Sequence, residues 1–164
     1  MRDYFRYLSI CLCLALAIPL TVQAAGKKTS PLLASKPELR SLLQQEMQAL
    51  QQALATISQA LPEGDWPRVA STAKQMHDSF IFQQQLTTED RETLHSILPE
   101  EFIRQDRAFH QLASKLHRAA TRHDTELSLF YYSNVVESCV ACHSQFATHR
   151  FPSLSGSTPA EAGH

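Results

Sequence analysis

Residues 38–61 read ELRSLLQQEMQALQQALATISQAL, and this stretch decides the fold class. An α-helix places residues at alternating steps of four and three on one face, whereas a half-buried strand requires strict alternation. The large apolar residues follow the helical spacing at Leu43, Met47, Leu50, Leu54, Ile57 and Leu61. The stretch therefore predicts a long amphipathic helix that begins near Glu38 and buries this stripe.

Two more helices are predicted from N-cap residues that precede periodic apolar positions. Asp65 is a favourable N-cap for a second helix. The apolar face of that helix comprises Trp66, Val69, Ala70, Ala73, Met76 and Phe80. Asp124 is a favourable N-cap for the last helix, which we expect to continue to about His149 because Pro152 prevents further continuation.

Another long helix is predicted between these two. Pro99 stands where a proline in the first helical turn is tolerated, because its missing N–H has no partner there in any case. Glu100 and Glu101 follow it, and negative charge stabilises a helix N-terminus. The apolar stripe that follows comprises Phe102, Phe109, Leu112, Leu116 and Ala119. Residues 99–119 are therefore predicted to be helical.

The remaining stretch before Pro99 has a weaker pattern. Residues 88–97 are polar, and they predict a short connecting helix capped by Thr87 or Thr88. No stretch reads as a strand or as an internal repeat. The four long helices thus predict an all-α domain over residues 38–150, an antiparallel four-helix bundle with up-down-up-down topology.

The residues at the N-terminus predict that the protein is exported. Arg2 and Arg6 precede an apolar run over residues 8–20, which is short for a membrane span, and small residues around Ala24 suit a signal peptidase. Residues 1–24 are therefore interpreted as a cleavable signal peptide, with a retained membrane anchor as the alternative. Export in a bacterial cell would deliver the protein to the periplasm.

The segments that flank the predicted domain are expected to be irregular. Residues 25–37 read as a flexible leader and residues 151–164 as a disordered tail, since neither shows apolar periodicity. The formal net charge is −1, and no basic face is visible along the chain. Nucleic acid is therefore not expected as a partner.

The chemistry of the chain is concentrated in Cys139-Val140-Ala141-Cys142-His143. Removal of the signal peptide leaves Cys139 and Cys142 as the only cysteines. C-x-x-C-H is the arrangement used for covalent haem attachment. On a helix these three donors share a face, so both thiols reach one porphyrin while the imidazole points at its iron. The motif predicts one haem c, with Cys139 and Cys142 as thioether anchors and His143 as an axial iron ligand.

Three other roles for these cysteines remain open but are less favoured. A zinc site would need a distant histidine, because the chain lacks a second cysteine pair. A thiol–disulfide oxidoreductase places C-x-x-C at a helix N-terminus among strands, which is not the pattern here. A structural disulfide between Cys139 and Cys142 would close a small loop and would leave His143 unexplained.

The second axial ligand is expected from the first helix. Met47 lies about 14 Å along that helix, and His143 lies about 10 Å from the predicted end of the last helix, so the two are at similar levels in an antiparallel bundle. A methionine on a leucine stripe is otherwise a core residue. The competing donors that remain are Met76, His77 and His110.

At residues 38–150 the chain resembles the class II c-type cytochromes, the family that contains cytochrome c prime and its low-spin relatives. The resemblance rests on the C-terminal motif followed by Phe146, on Met47, and on residues 98–102 leading to Phe109-His110. It implies a periplasmic four-helix haem protein in which His143 is the proximal ligand and a first-helix residue is distal.

Within that family, the chain resembles the six-coordinate electron carriers, because it has a methionine at position 47. The resemblance therefore implies a one-electron carrier without enzymatic activity, with redox proteins as partners and with dimerisation as in other members. The alternative is a five-coordinate protein that binds NO or CO, as in cytochrome c prime. The chain departs from the family at Ala147, where a basic residue is common.

Overall fold

The computed structural model describes residues 36–81 and 85–155, which contain five α-helices and no strand. The helices are α1 (Pro37–Glu63), α2 (Trp66–Asp78), α3 (Thr88–Ile97), α4 (Glu100–Thr121) and α5 (Thr125–Phe146), and a 3-10 turn follows at Pro152–Leu154. The prediction of an all-α protein is confirmed. The predicted signal peptide, most of the leader and residues 156–164 of the predicted tail lie outside the described residues.

Local capping explains where most helices begin and end. The Asp65 carboxylate accepts the Arg68 backbone N–H at 3.1 Å, and that of Asp124 accepts the Leu127 N–H at 3.0 Å, as expected from the sequence. Gly64 closes α1 with a φ of 69°, a conformation that glycine adopts without steric cost. None of the helices in the described part of the chain is long and apolar enough to cross a bilayer.

The short connecting helix is present as α3, and its N-cap is Thr87. The Thr87 hydroxyl accepts the Asp90 N–H at 3.1 Å, while the Asp90 carboxylate accepts the Thr87 N–H at 3.0 Å. This reciprocal capping box satisfies two backbone donors that a helix N-terminus otherwise leaves unpaired. It also lowers the pKa of the Asp90 carboxyl, through the hydrogen bonds from Thr87.

Three predicted helix boundaries are wrong. α2 ends at Asp78, so Phe80, which was predicted on its apolar face, lies in the turn that follows. Pro99 is the N-cap of α4, with an extended backbone (ψ 142°), and is not in the first turn. α5 ends at Phe146 and does not continue to about His149. The Ala147 carbonyl accepts the N–H groups of both Arg150 and Phe151, at 2.9 and 3.0 Å, so the chain turns here before Pro152 is reached. The helix therefore ends at a local turn centred on Ala147, five residues before the proline.

The buried face of α1 is rotated from the predicted stripe. The buried positions are Leu39, Glu46, Leu50, Ala53, Ile57 and Ala60. Four predicted stripe residues, Leu43, Met47, Leu54 and Leu61, are only partly buried and form one flank of the helix, which we call the α1 flank. Ala53 and Ala60 are buried in the main core cluster, so burial centres on the face that they share with Leu50 and Ile57.

The core consists of two clusters of buried residues. The main cluster joins α1, α2, α4 and α5 and includes Ile57, Val69, Met76, Leu116 and Val135. The second cluster joins the start of α1 to α3 through the buried side chains of Leu39 and Leu94. The closest backbone packing is between α1 and α2, between α2 and α4, and between α4 and α5.

Histidine side chains connect α2 and α4. The His110 Nδ1–H donates to the Met76 carbonyl and the His117 Nδ1–H donates to the Ala70 carbonyl, each at 2.9 Å. In the opposite direction, the His77 Nδ1–H donates to the His110 carbonyl at 3.0 Å. A carbonyl can only accept, so these bonds require the proton on Nδ1 of each ring. The three rings therefore fix how α2 and α4 pack together.

The buried carboxylate of Glu46 holds the turn that follows α2. Its two oxygens accept the backbone N–H groups of Phe80, at 3.1 Å, and of Ile81, at 2.6 Å, and its side chain is 2% exposed. Ser79 directly before them has a φ of 63°, which is strained for a residue with a Cβ. The charged hydrogen bonds from α1 therefore stabilise a strained turn.

Glu46→Ala is expected to lower the free energy of unfolding by about 2–4 kcal/mol, because two backbone donors lose a charged acceptor. Glu46→Gln keeps one acceptor oxygen and is expected to lose about half as much. Urea unfolding followed by circular dichroism measures both values. Glu63→Ala, an exposed carboxylate at the end of the same helix, is the control. Equal effects at Glu46 and Glu63 would show that this turn does not depend on the buried carboxylate.

Candidate functional site

Cys139, Cys142 and His143 lie in the last two turns of α5, where the helix is continuous. Their spacing of i, i+3 and i+4 places the three side chains on one side of the helix. All three are half-buried, and the two cysteines are unpaired thiols. The structure therefore brings together the three donors that were predicted from the motif.

The first two turns of α4 form one wall of this site. The Phe102 ring meets the Phe146 ring edge-on, with centroids 5.3 Å apart, and Phe146 is 9% exposed. The Gln105 side-chain amide donates to the Gln145 side-chain oxygen at 2.6 Å. These contacts hold the end of α5 against the start of α4 and shield the motif from water on that side.

Burial sets the ionisation of the two thiols. It raises the pKa of Cys142 to about 11, with a further contribution from the negative charge of Asp106 on α4. Burial also raises the pKa of Cys139. A catalytic cysteine of a thiol–disulfide oxidoreductase has a lowered pKa, because the thiolate is the nucleophile. The site therefore does not resemble a thiol redox centre.

The pKa of the His143 imidazole shifts in the opposite direction to that of the thiols, although burial favours the neutral form in both cases. Burial lowers its pKa, and the nearby Arg150 guanidinium lowers it further. The ring stacks on Phe151 with centroids 4.5 Å apart and an interplanar angle of 13°. A neutral imidazole has a lone pair available for a metal ion, so the environment of His143 suits a metal ligand.

The contact with Phe151 could not be read from the sequence, because it depends on the turn at Ala147.

A zinc site receives no support from the described residues. Across residues 36–81 and 85–155, no group of three or more His, Cys, Asp or Glu side chains is placed to hold a metal ion. Any metal held by His143 would need another group to complete its coordination.

Met47 lies on the α1 flank and packs against the main core cluster. The Tyr132 hydroxyl of α5 donates to the Leu54 carbonyl of that flank at 3.3 Å. Beside this bond, α1 and α5 border a cleft of about 480 Å³ whose lining includes Leu61 and Leu129. The α1 flank therefore faces α5, although the two helices do not pack tightly.

The competing donors lie in other environments. Met76 is fully buried in the main cluster, and His77 and His110 are bonded into the α2–α4 interface. Burial disfavours the charged form of His110, but the Asp106 carboxylate 3.6 Å from its Nε2 outweighs this and raises its pKa. The two pKa shifts run in opposite directions, and the His110 ring is already bonded to Met76 and close to Asp106, so His110 is less suited to ligation than His143.

The raised thiol pKa can be tested on the polypeptide that carries no bound group. Cys142 is expected to react slowly with iodoacetamide at pH 8, because a pKa of about 11 leaves about one thiol in a thousand ionised. Asp106→Asn is expected to accelerate the reaction, whereas Glu92→Gln, on the exposed side of α3, is not. Mass spectrometry of the alkylated peptides across pH measures the rates. A half-maximal rate for Cys142 near pH 8.5 would contradict the burial of this thiol.

The comparisons with known proteins add no assignment to this geometry. The chain matches no protein-family model, and neither the curated proteins nor the solved structures include a match. The functional interpretation therefore depends on the donor set of α5 and on the helices around it.

Proposed function

We propose that the protein is an exported, single-haem c-type cytochrome of the class II kind, and that it carries single electrons between redox proteins. The observation that carries this proposal is the placement of two protonated thiols and one neutral imidazole on a single half-buried face of α5. Covalent haem attachment uses all three groups together, whereas a disulfide or a thiol enzyme leaves His143 unexplained and a structural zinc site would need a further ligand.

The proposal includes an antiparallel four-helix bundle formed by α1, α2, α4 and α5. α1 and α2 meet at the turn around Gly64 and again at the far end, where Glu46 binds the segment after α2. α4 and α5 meet at the turn before Asp124 and again where Phe102 contacts Phe146. Such paired contacts at both ends favour antiparallel neighbours, as in an up-down-up-down bundle.

The position of Met47 along the axis of α1 supports it as the second axial ligand. In an antiparallel arrangement the Tyr132–Leu54 hydrogen bond marks a common level of α5 and α1. Met47 is seven residues from Leu54, and Cys139 is seven residues from Tyr132, so both lie about 10 Å from that level on the same side. His143 lies about 6 Å further, and helical side chains tilt toward their own N-terminus, so Met47 and His143 lean toward each other.

The residues present suit a haem between α1 and α5. When bound, the haem supplies an iron that changes oxidation state by one electron. Cys139 and Cys142 would anchor the porphyrin, and His143 and Met47 would hold the iron. Met/His ligation raises the reduction potential and persists in both oxidation states, so little rearrangement accompanies electron transfer. The apolar α1 flank would exclude water from one side of the porphyrin.

Covalent attachment is tested by mass. When expressed with a cytochrome-maturation system, the exported chain is expected to be heavier than its polypeptide by one haem, and this added mass is expected to withstand denaturation. Replacing both Cys139 and Cys142 with Ala should abolish the added mass. Cys11→Ala with Cys13→Ala, in the predicted signal peptide, is the matched control and should keep it. An exported protein with the mass of its amino acids alone would refute the proposal.

The axial ligand is tested by spectroscopy. The ferric protein is expected to be low-spin with a methionine-to-iron charge-transfer band, and Met47→Leu should remove this band and allow CO to bind the ferrous form. Met76→Leu is the control, since the side chain of Met76 is fully buried in the core. If Met76→Leu removes the band and Met47→Leu keeps it, the ligand assignment is wrong. A high-spin natural protein that binds CO would favour the gas-binding alternative over electron transfer.

A further inference from the structure

The outward face of α5 is unusually apolar. The exposed large hydrophobic residues in the described part of the chain all lie between residues 129 and 151, and four of them are on α5: Leu129 (51% exposed), Phe130 (56%), Val136 (37%) and Val140 (43%). Single exposed apolar residues need no explanation, but a contiguous group on one helix marks a contact surface. We call these four residues, together with Glu126 and Glu137, the α5 patch.

The α5 patch leads directly to the attachment site. From Leu129, steps of seven, four and three residues reach Val136, Val140 and His143, so these four positions form one stripe along the helix. Val140 is also the residue directly after Cys139. A protein docked on the patch would therefore contact the surface nearest to the proposed iron ligand.

The charge of the α5 patch has one sign. Its ionisable residues are Glu126 and Glu137, both exposed, and α5 contains no lysine or arginine. Lys115 of α4 lies 5.9 Å above the ring of Tyr131, which is on the opposite side of α5 from the patch. Arg150 follows the helix and lies near His143, beyond the end of the patch. The patch thus combines an apolar centre with an acidic rim.

The size and charge of the α5 patch argue against a second copy of this chain as its occupant. A stable protein interface buries about 800 Å² on each partner, and four side chains on one helix face provide much less, whereas transient redox encounters are smaller. Two copies paired through this face would also bring identical carboxylates together. A basic partner would meet opposite charges instead.

We propose that the α5 patch is the docking surface for a redox protein whose own contact surface has an apolar centre and a basic rim; this inference rests on the proposed electron-carrier function. In the encounter, a haem held by this chain would give up one electron, its iron passing from ferrous to ferric, and the redox centre of the partner would accept that electron. Complementary charge would accelerate association, and the small apolar contact would permit rapid release.

Stopped-flow kinetics of the haem-loaded full chain test the surface. The probes are a basic mitochondrial-type cytochrome c and the same cytochrome with its lysines succinylated, which reverses their charge. At low ionic strength, Glu126→Gln with Glu137→Gln is expected to slow oxidation by the basic probe by about threefold or more, and Val136→Thr with Val140→Thr by a similar factor. Glu63→Gln with Glu92→Gln, two exposed carboxylates on other helices, is the charge-matched control and should leave the rate unchanged.

A titration of the isotope-labelled chain with the basic probe, followed by nuclear magnetic resonance, locates the contact without measuring electron transfer. Shifts confined to residues 126–143 are expected. Shifts elsewhere, equal rates with the succinylated probe, or dimerisation that the Val136 and Val140 substitutions abolish would overturn the docking proposal. Absence of covalent haem would overturn the proposed function separately, and the titration would still show whether the α5 patch binds a basic protein.

Discussion

The helical spacing of Cys139, Cys142 and His143 is the constraint on which the proposed site depends. Three donors at i, i+3 and i+4 can serve one bound group only while α5 stays regular through its last two turns. That regularity is supported from outside the helix, by the edge-on contact of Phe102 with Phe146 and by the turn at Ala147. The same packing partly removes the donors from water, which keeps the thiols protonated and the imidazole neutral.

Polar contacts are concentrated among α1, α2 and α4, which we call the fixed side, whereas the α1–α5 contact, which we call the open side, has fewer of them. On the fixed side, the histidine bonds between α2 and α4 and the buried carboxylate of Glu46 hold α1, α2 and α4 together. On the open side, the Tyr132 hydroxyl of α5 bonds to the Leu54 carbonyl of α1, and the cleft beside this bond lies toward Leu61 and Leu129. The proposed haem would instead lie on the other side of this bond, at the level of Met47 and Cys139, where α1 and α5 are not tightly packed.

α5 presents different chemistry on its two faces. Its inner face carries Cys139, Cys142 and the buried Val135, its outer face carries exposed apolar residues with carboxylates beside them, and His143 lies at the border between the two. The absence of lysine and arginine from this helix keeps the outer face acidic. One helix could therefore hold a redox centre on one side and present a docking surface beside it.

The sequence by itself determined the helical class, the caps at Asp65 and Asp124, the choice of Thr87 or Thr88 as the cap of α3, and the grouping of the three donors. These features depend on local spacing and on hydrogen bonds between neighbours in the chain. Tertiary structure decided which face of α1 is buried. The stripe predicted Leu43, Met47, Leu54 and Leu61 as buried, but the other helices cover the face that carries Ala53 and Ala60, and these larger residues lie on the flank.

Tertiary structure also decided the role of Glu46, the stacking of Phe151 on His143 and the end of α5 at Phe146. Each depends on a partner distant in sequence or on a turn that the pattern of residues did not reveal. A glutamate on a helix normally reads as solvent-exposed, and the two backbone N–H groups that it accepts from the strained turn after α2 help to make its burial favourable. Periodicity reports which side chains share a face, whereas the partner that covers that face is set by how the helices assemble.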